Sequence, residues 1–321
     1  MNAEIFAEWV RRQGHRVFHT ASSYWDEAGP RVLQAFPYHW LISPPEKETQ
    51  DLMTENGIIS LRYSTLLNSP IGKISYHIIL HDPYNLTTLN AQALDNVKRG
   101  LGRFRVKQIS FERLAKEGWI LQQDTLDRQN RLKSMMPAEW ELLCRSAADL
   151  PGFEAWAALS DDELAAAVIV FKIDSTWCIS HSISHRKFLH DHANNALFYN
   201  LSRNLLAQEN VEGIFFTVQP LDAPSAIDDF TLQMGLIPKP VRQRVDFHPL
   251  LSTFATPTTH KLFTSLLHRS YENPLLAKAE GMLRFHIEGK QSFTCQHWPE
   301  CLISPQEEVL NRRESSRDLM K

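Results

Sequence analysis

Hydrophobic and polar residues follow a regular order in the second half of the chain. Between 163 and 247, segments with strand periodicity or continuous apolar character alternate with segments of helical spacing. In order, they are two strands (163–173 and 177–185) joined by the turn DST, a helix (194–209), a strand (213–219), a short helix (224–235) and a last strand (241–247). Pro224 near the start of the short helix and Gly235 at its end are typical helix boundaries. The pattern predicts β-turn-β-α-β-α-β.

The second strand of this series is expected to point its side chains alternately to two faces. Strict alternation places the intervening cysteine and serines on one face. The other face then carries Trp177, Ile179, His181, Ile183 and His185.

Shorter elements are predicted before residue 163. The segments 57–65 and 72–80 are rich in β-branched and aromatic residues, and the sequence LLNSPI between them has turn chemistry. We expect a β-hairpin here, or at least two adjacent strands. A helix over 86–97 is expected to end at Gly100 in a left-handed cap.

A further strand is predicted at 104–111, followed by a mostly helical and polar stretch at 124–150. Pro137 suits the first turn of the second helix in that stretch. Two more helices are expected beyond Pro249, packed outside the sheet.

The order of elements resembles the second half of the GNAT acyltransferase fold, most closely its tandem, Fem-type branch of peptidyl and aminoacyl transferases. The sequences that carry the resemblance lie between about 57 and 250: NLTTLNAQALDNVKRGLGRFRVKQI, NNALFYNLSRNLLAQENVEGIFF and DDFTLQMGLIPKPV. The resemblance implies an α/β fold of mixed α+β character, with a mixed central sheet flanked by helices and built from two tandem GNAT-like halves. We expect an N-terminal half (1–118), a C-terminal half carrying the donor site (119–250), and a helical extension with a mobile tail (251–321).

Two positions depart from the common pattern of that fold. The loop RKFLHDHANN lacks the glycines that wrap the coenzyme A pyrophosphate in many members. Thr231 follows Phe230, where many members carry a tyrosine that acts as general acid. Both departures favour an alternative, a protein of this fold that binds a ligand or partner without catalysis.

Composition and charge exclude several classes of protein. The chain has 321 residues, 43% hydrophobic and 22% charged, with a net charge of −3, so global charge predicts neither a nucleic-acid nor a membrane partner. The longest apolar run, 164–171, is too short to span a bilayer, and the N-terminus has no secretory pattern. Four scattered cysteines are typical of reduced thiols, and we expect a cytoplasmic protein.

Three histidines and an aspartate lie close together at 185–192. They fit a zinc site, a polar surface loop, or the mouth of a site for an anionic acyl donor. Arg186 and Lys187 inside the cluster would repel a dication, and the helix that follows offers the free amides and positive dipole end of its first turn. We expect no metal, and we assign donor binding to Arg186, Lys187, His192, Asn194 and Asn195.

Three candidate general bases lie on or just after the predicted strands. His181 lies in the middle of the strand 177–185 and His185 at its end, and the unperturbed pKa of an imidazole lies near neutrality. Asp222 follows the carboxyl end of a buried strand, where open α/β sheets place their sites. The alternative interpretations are a buried histidine with structural partners for His181 and a helix cap for Asp222.

Two further motifs allow a ligand-binding interpretation. The segment Lys98–Lys107, KRGLGRFRVK, contains five cationic residues and forms either a solvated surface or a patch for tRNA or another phosphate-bearing substrate. The sequence CQHWPEC (295–301) has a spacing unlike that of zinc knuckles.

The resemblance therefore implies an acyltransferase that moves an acyl or aminoacyl group from acetyl-CoA, another acyl-CoA or a similar activated donor onto a small-molecule or other amine-bearing acceptor. His181, His185 or Asp222 would serve as the base for the amine. The residues leave the inactive binding protein open as the alternative, with a metal-dependent enzyme as a third and weaker one.

Overall fold

A computed structural model of the chain describes residues 2–129, 131, 135–221, 229–269 and 274–302. These residues form two compact units that interleave along the chain. Unit 1 comprises 1–15, 79–216 and 228–237, and unit 2 comprises 16–78, 217–227 and 238–321. The boundaries predicted at 118/119 and 250/251 divide the sequence into three contiguous segments, and this division stays a prediction.

Unit 1 contains most of the predicted β-turn-β-α-β series. Its strands lie in the order β10-β9-β8-β7-β6, with antiparallel neighbours except for the parallel pair β9 and β10. They are β6 (Arg105–Ile109), β7 (Phe153–Ser160), β8 (Glu163–Ile173), β9 (Thr176–Ser184) and β10 (Gly213–Val218). Its helices are α1 (Ala3–Arg12), α3 (Ala91–Arg103), α4 (Phe111–Glu117), α5 (Trp119–Arg128), α6 (Pro137–Ala147), α7 (Ala193–Leu206) and α8 (Asp229–Gln233).

Helices pack on both faces of these strands. On one face, Phe6 and Trp9 of α1 lie against Phe171 of β8, with ring centroids 4.4 and 6.5 Å apart. On the other face, the indole of Trp177 donates to Gln208, just after the end of α7. The mixed sheet flanked by helices that the sequence predicts is confirmed, as are the strands at 163–173 and 177–185 and the helix that follows them.

The predicted alternation along β9 is wrong. His181 pairs with Ile169 of β8, but Ile179 pairs with the adjacent Val170, so Ser180 has no partner and forms a β-bulge. The extra residue reverses the alternation. His181 and Ile183 therefore lie on the face opposite Trp177 and Ile179.

Unit 2 has the strand order β1-β2-β3-β4-β11-β5. The strands are β1 (Val17–His19), β2 (Tyr24–Gly29), β3 (Val32–Phe36), β4 (Ser60–Thr65), β5 (Lys73–Leu80) and β11 (Ile237–Phe247). The helices are α2 (Glu46–Asn56), α9 (Pro249–Ser252), α10 (Pro257–Arg269) and α11 (Pro274–Glu288). Both helices predicted beyond Pro249 are present, and the tail after 302 lies outside the described residues.

The predicted hairpin between 57–65 and 72–80 is wrong, because β11 lies between β4 and β5. Arg242 of β11 is buried and donates to the carbonyl oxygens of Leu67 and Gly72 at 3.0 and 2.7 Å. These bonds satisfy backbone acceptors of the connection. The residues taken for a tight turn instead form a loop around the inserted strand.

Gly100 does not cap a helix as predicted. It lies inside α3, where the helix passes close to the start of α7. A Cβ at this position would lie 2.5 Å from the carbonyl oxygen of His192 and 3.0 Å from the Cβ of Ala196. Glycine is required here by close backbone approach, since α3 passes too near α7 for any side chain.

We expect Gly100→Ala to lower the free energy of unfolding by about 2 kcal/mol, because overpacking a tight contact costs more than the helix propensity gained. Gly102→Ala is the matched control, since a Cβ at this position of the same helix meets nothing within 4 Å. It should raise stability by about 0.5–1 kcal/mol. Urea unfolding of both variants checks this, and equal stabilisation by both would contradict the close approach.

Candidate functional site

Strands β9 and β10 pair along only part of their length. The parallel ladder joins Thr176, Trp177 and Cys178 to Gly213, Ile214 and Phe215 and then ends, whereas β9 continues through the bulge at Ser180 to Ser184. The pairing of the two strands thus covers only the first part of β9. Ser184, at the end of β9, bonds through its amide and carbonyl to Thr125 of α5, so the part of this edge without a ladder pair or an α5 contact is 179–183.

Helix α7 begins just beyond the end of β9. Its first backbone hydrogen bond runs from the amide of Ala196 to the carbonyl of His192, so the amides of the first turn precede the helical ladder. His192 occupies the N-cap in a left-handed conformation (φ 63°) and makes no side-chain cap bond. The start of α7 thus presents amides and a positive dipole end to an anion.

His181 lies next to the bulge, within an aromatic environment. Its ring centroid is 6.3 Å from Trp9 and 6.3 Å from Trp140, each in an edge-on arrangement, and its Nδ1 lies 2.8 Å from the Ser180 hydroxyl. Burial, with a smaller contribution from Arg131, lowers the pKa of His181 to about 4. The imidazole is therefore neutral at neutral pH.

The residues directly after β9 are fixed by α5. The backbone amide and the guanidinium of Arg186 both donate to Asp124, and the guanidinium also donates to Asp127. Burial would raise the pKa of Asp124, but the Arg186 amide and guanidinium outweigh burial and hold it below its ordinary value. His185 Nδ1 lies 3.1 Å from Asp124 as well. Arg186 and His185 thus connect the loop to α5.

The other predicted donor ligands occupy different environments. Lys187 forms an exposed ion pair with Glu163 at 2.8 Å and lies 4.7 Å above the ring of Phe188. Asn194 donates to the Ser184 hydroxyl at 3.3 Å, and the buried Asn195 lies 3.3 Å from the sulfur of Met234. Asn194 and His192 therefore flank the start of α7, whereas Lys187 lies on a salt-bridged surface.

Arg128 at the end of α5 is a candidate residue that the sequence analysis missed. Its guanidinium donates to the Ser184 carbonyl and hydroxyl oxygens, each at 2.9 Å, and to Thr125 at 3.1 Å. Asn194 donates to the same Ser184 hydroxyl, so both side chains bond to the residue at which β9 ends and the chain turns towards α7. The polar pattern around 128 predicted the helix and contained nothing that placed this residue near 184.

The cationic segment Lys98–Lys107 lies beside the same helix start. Gly100 of this segment approaches the carbonyl of His192 closely, and Lys98, Arg99 and Arg103 around it are exposed. Arg99 forms an ion pair with Asp95 at 2.9 Å. The segment thus contacts the start of α7 through Gly100, and its cations lie on the exposed surface of α3.

Asp222 lies outside the described residues. Within the described residues, no group of three or more histidine, cysteine or acidic side chains is arranged to hold a metal ion. Of the CQHWPEC segment, Gln296 and Pro299 are buried, and Gln296 accepts a hydrogen bond from the amide of Ile74. None of the described helices is both long and apolar enough to cross a membrane.

Comparison with solved structures identifies the fold. FemX superposes with a TM-score of 0.52 at 9% sequence identity, covering 78% of this chain and 92% of that one. The C-terminal domain of a putative lysylphosphatidylglycerol synthetase from Agrobacterium fabrum gives 0.50 at 11% identity, covering 75% and 87%. A conserved protein of unknown function from Bacteroides thetaiotaomicron gives 0.50 at 9% identity, covering 74% and 87%.

No protein-family model and no curated protein matches the sequence. The likeness to solved structures is therefore one of fold, and at that level the predicted resemblance to the GNAT-like, Fem-type architecture is confirmed.

We expect His181 to make stability depend on pH. Its folded-state pKa lies below the unfolded value, so between about pH 6.5 and 4 the unfolded state binds a proton that the native state does not. This contribution to stability is present above pH 6.5 and is lost as pH falls to 4, at up to about 1.4 kcal/mol per pH unit. Urea unfolding over this range should give a shallower slope for His181→Gln than for the wild type.

The exposed His190 provides the control, since His190→Gln should retain the wild-type slope. If the free energy of unfolding of His181→Gln depended on pH as steeply as that of the wild type, the His181 imidazole would have the same pKa in the folded and unfolded states. That result would contradict the effect of burial on this side chain.

Proposed function

We propose that this chain transfers an acyl or aminoacyl group from an activated donor to an amine. The observation that carries the proposal is the early end of the β9–β10 ladder beside the start of α7. An extended donor arm with amide groups would pair with the free edge of β9. The anionic part of the donor would lie at the first turn of α7.

The residues around the start of α7 fit a phosphate-bearing donor. Arg128 and Asn194 converge on Ser184, and the cationic segment Lys98–Lys107 contacts the start of α7 through Gly100. These groups supply charge and donors where the loop lacks glycines. Arg186 and Lys187, which the sequence assigns to the donor, are engaged with Asp124, Asp127 and Glu163, so we propose a supporting role for them.

The proposed chemistry requires positioning and a proton acceptor. The amine nitrogen attacks the carbonyl carbon of the donor, a C–N bond forms, and the bond to the donor's leaving group breaks. The nitrogen loses a proton, and the leaving group takes one up. His181 is neutral, so its free ring nitrogen would accept the proton from the nitrogen of the adduct.

An acyl-CoA and an aminoacyl-tRNA both carry phosphate groups and an activated carbonyl in one molecule. The five cationic residues of Lys98–Lys107 favour the donor with the larger anionic surface, because each neutralised phosphate adds salt-dependent affinity. We propose both donors for testing: acyl-CoA, whose pantetheine arm carries the amides that would pair with the edge of β9, and aminoacyl-tRNA, which the cationic segment favours.

The second candidate function is binding without transfer. It is favoured by Thr231, which is buried at 3% exposure where a tyrosine acid would be expected. The low pKa of His181 points the same way, because a general base works best when its pKa lies near the working pH.

We expect Arg128→Ala to weaken donor binding by about ten-fold or more, since it removes a charge-assisted hydrogen-bond donor from the start of α7. Isothermal titration calorimetry with aminoacyl-tRNA and acyl-CoA measures this. The control is Arg145→Ala, which removes an exposed arginine paired with Glu141 on α6. If both variants bind the donor like the wild type, the donor does not lie at α7.

We expect His181→Ala to lower kcat by about a hundred-fold with little change in KM, the effect of losing a general base. In the wild type, the acid limb of the pH–rate profile should lie near 4, where His181 becomes protonated. His190→Ala, in the exposed part of the same histidine cluster, is the control and should retain activity. Full activity of His181→Ala would remove this residue from the mechanism, and donor binding without turnover in the wild type would favour the binding protein.

A further inference from the structure

Unit 2 contains a cavity of about 530 Å³ between its strands and the C-terminal helices. This volume falls in the range of small-molecule sites, which are mostly apolar with a few placed polar groups. Side chains from α10 and α11, among them Phe263, Met282 and Leu283, form one wall. The cavity belongs to unit 2 alone, and nothing in the transfer reaction proposed above involves it.

The floor of the cavity is polar at one place. Gln34 of β3 and Arg62 of β4 are register partners in a parallel ladder and both line the cavity. Arg62 is 9% exposed, donates to Gln243 at 3.0 Å and also donates to the carbonyl of Gln219. Gln34 Oε1 lies 3.5 Å from Arg62 Nη1, the long limit for a hydrogen bond. A permanent positive charge is thus held at the bottom of an apolar space.

The charged residues that line the cavity are cationic, and the residues at its mouth are apolar and exposed. Among the described residues that line the cavity, the charged ones are Arg62 and Lys278, and both are cationic. Leu251, Phe254 and Leu275 line the mouth with exposed fractions of 41, 68 and 60%. Several exposed apolar side chains around a concave site are typical of a binding surface.

We propose that this cavity binds a monoanionic amphiphile, an alkyl carboxylate, with its carboxylate at Arg62 and Gln34 and its chain directed to the apolar mouth. A carboxylate matches the guanidinium in charge and planar geometry. The chain covers the apolar wall and the exposed side chains at the mouth.

Isothermal titration calorimetry of the full chain with dodecanoate, below its micelle concentration, tests the proposal. We expect one site per chain. Dodecan-1-ol, which keeps the chain and lacks the charge, should bind at least about ten-fold more weakly, as expected for a charge-assisted pair. Decanoate should bind roughly 15-fold more weakly than dodecanoate, at about four-fold per methylene.

Variants locate the site. Met282→Trp fills the cavity and should abolish binding, and Ala279→Leu on the same helix gives a second filling variant if the first does not fold. Leu262→Trp is the control, because Leu262 is an exposed residue of α10 outside the lining.

Arg62→Gln should bring the dodecanoate and dodecan-1-ol affinities within about three-fold of each other, whereas Lys278→Gln should leave their ratio unchanged.

Three results would overturn the proposal: no dodecanoate binding to the wild type, equal wild-type affinity for dodecanoate and dodecan-1-ol, or binding that survives both filling variants. The transferase proposal stands or fails separately, since its test is donor binding at α7.

Discussion

The parting of β9 from β10 after three residue pairs is the constraint on which the site depends. A parallel ladder that continued to Ser184 would satisfy the backbone groups of β9 and leave no edge for a donor. The bulge at Ser180 falls just beyond the last pair, and α5 holds the end of β9 through Thr125 and Arg128. Bulges bend the bulged strand and increase its twist, which accounts for the early end of the ladder.

The same local geometry sets the chemistry of His181. The extra residue turns the imidazole to the face covered by α1 and α6, where Trp9 and Trp140 surround it. Burial there favours the neutral ring. Had the strand kept strict alternation, His181 would lie on the same face as Trp177, whose indole bonds to Gln208 just after α7. One inserted residue thus decides both the environment and the protonation state of the candidate base.

Elements that depend on local periodicity were predictable from the sequence. The bounds of β8 and the inner face of α7 follow from continuous apolar character and helical spacing, and Pro137 at the start of α6 follows from its fixed φ. Features that depend on distant partners were not. The local sequence pattern indicates neither the insertion of β11 between β4 and β5 nor the contact of Arg128 with Ser184. The sequence around Gly100 alone does not indicate its role, because a glycine near a helix end is equally typical of a helix cap. Its role follows only from the positions of both α3 and α7.

Hydrogen exchange measured residue by residue along Thr176–Ser184 tests the central claim most directly. Thr176–Cys178 should be protected in the free protein, and Ser184 should be protected by its bond to Thr125. The amides between Cys178 and Ser184 that point away from β8 should exchange rapidly and slow when a donor binds. Uniformly slow exchange through Ser184 in the free protein would mean a continuous ladder and would contradict the account.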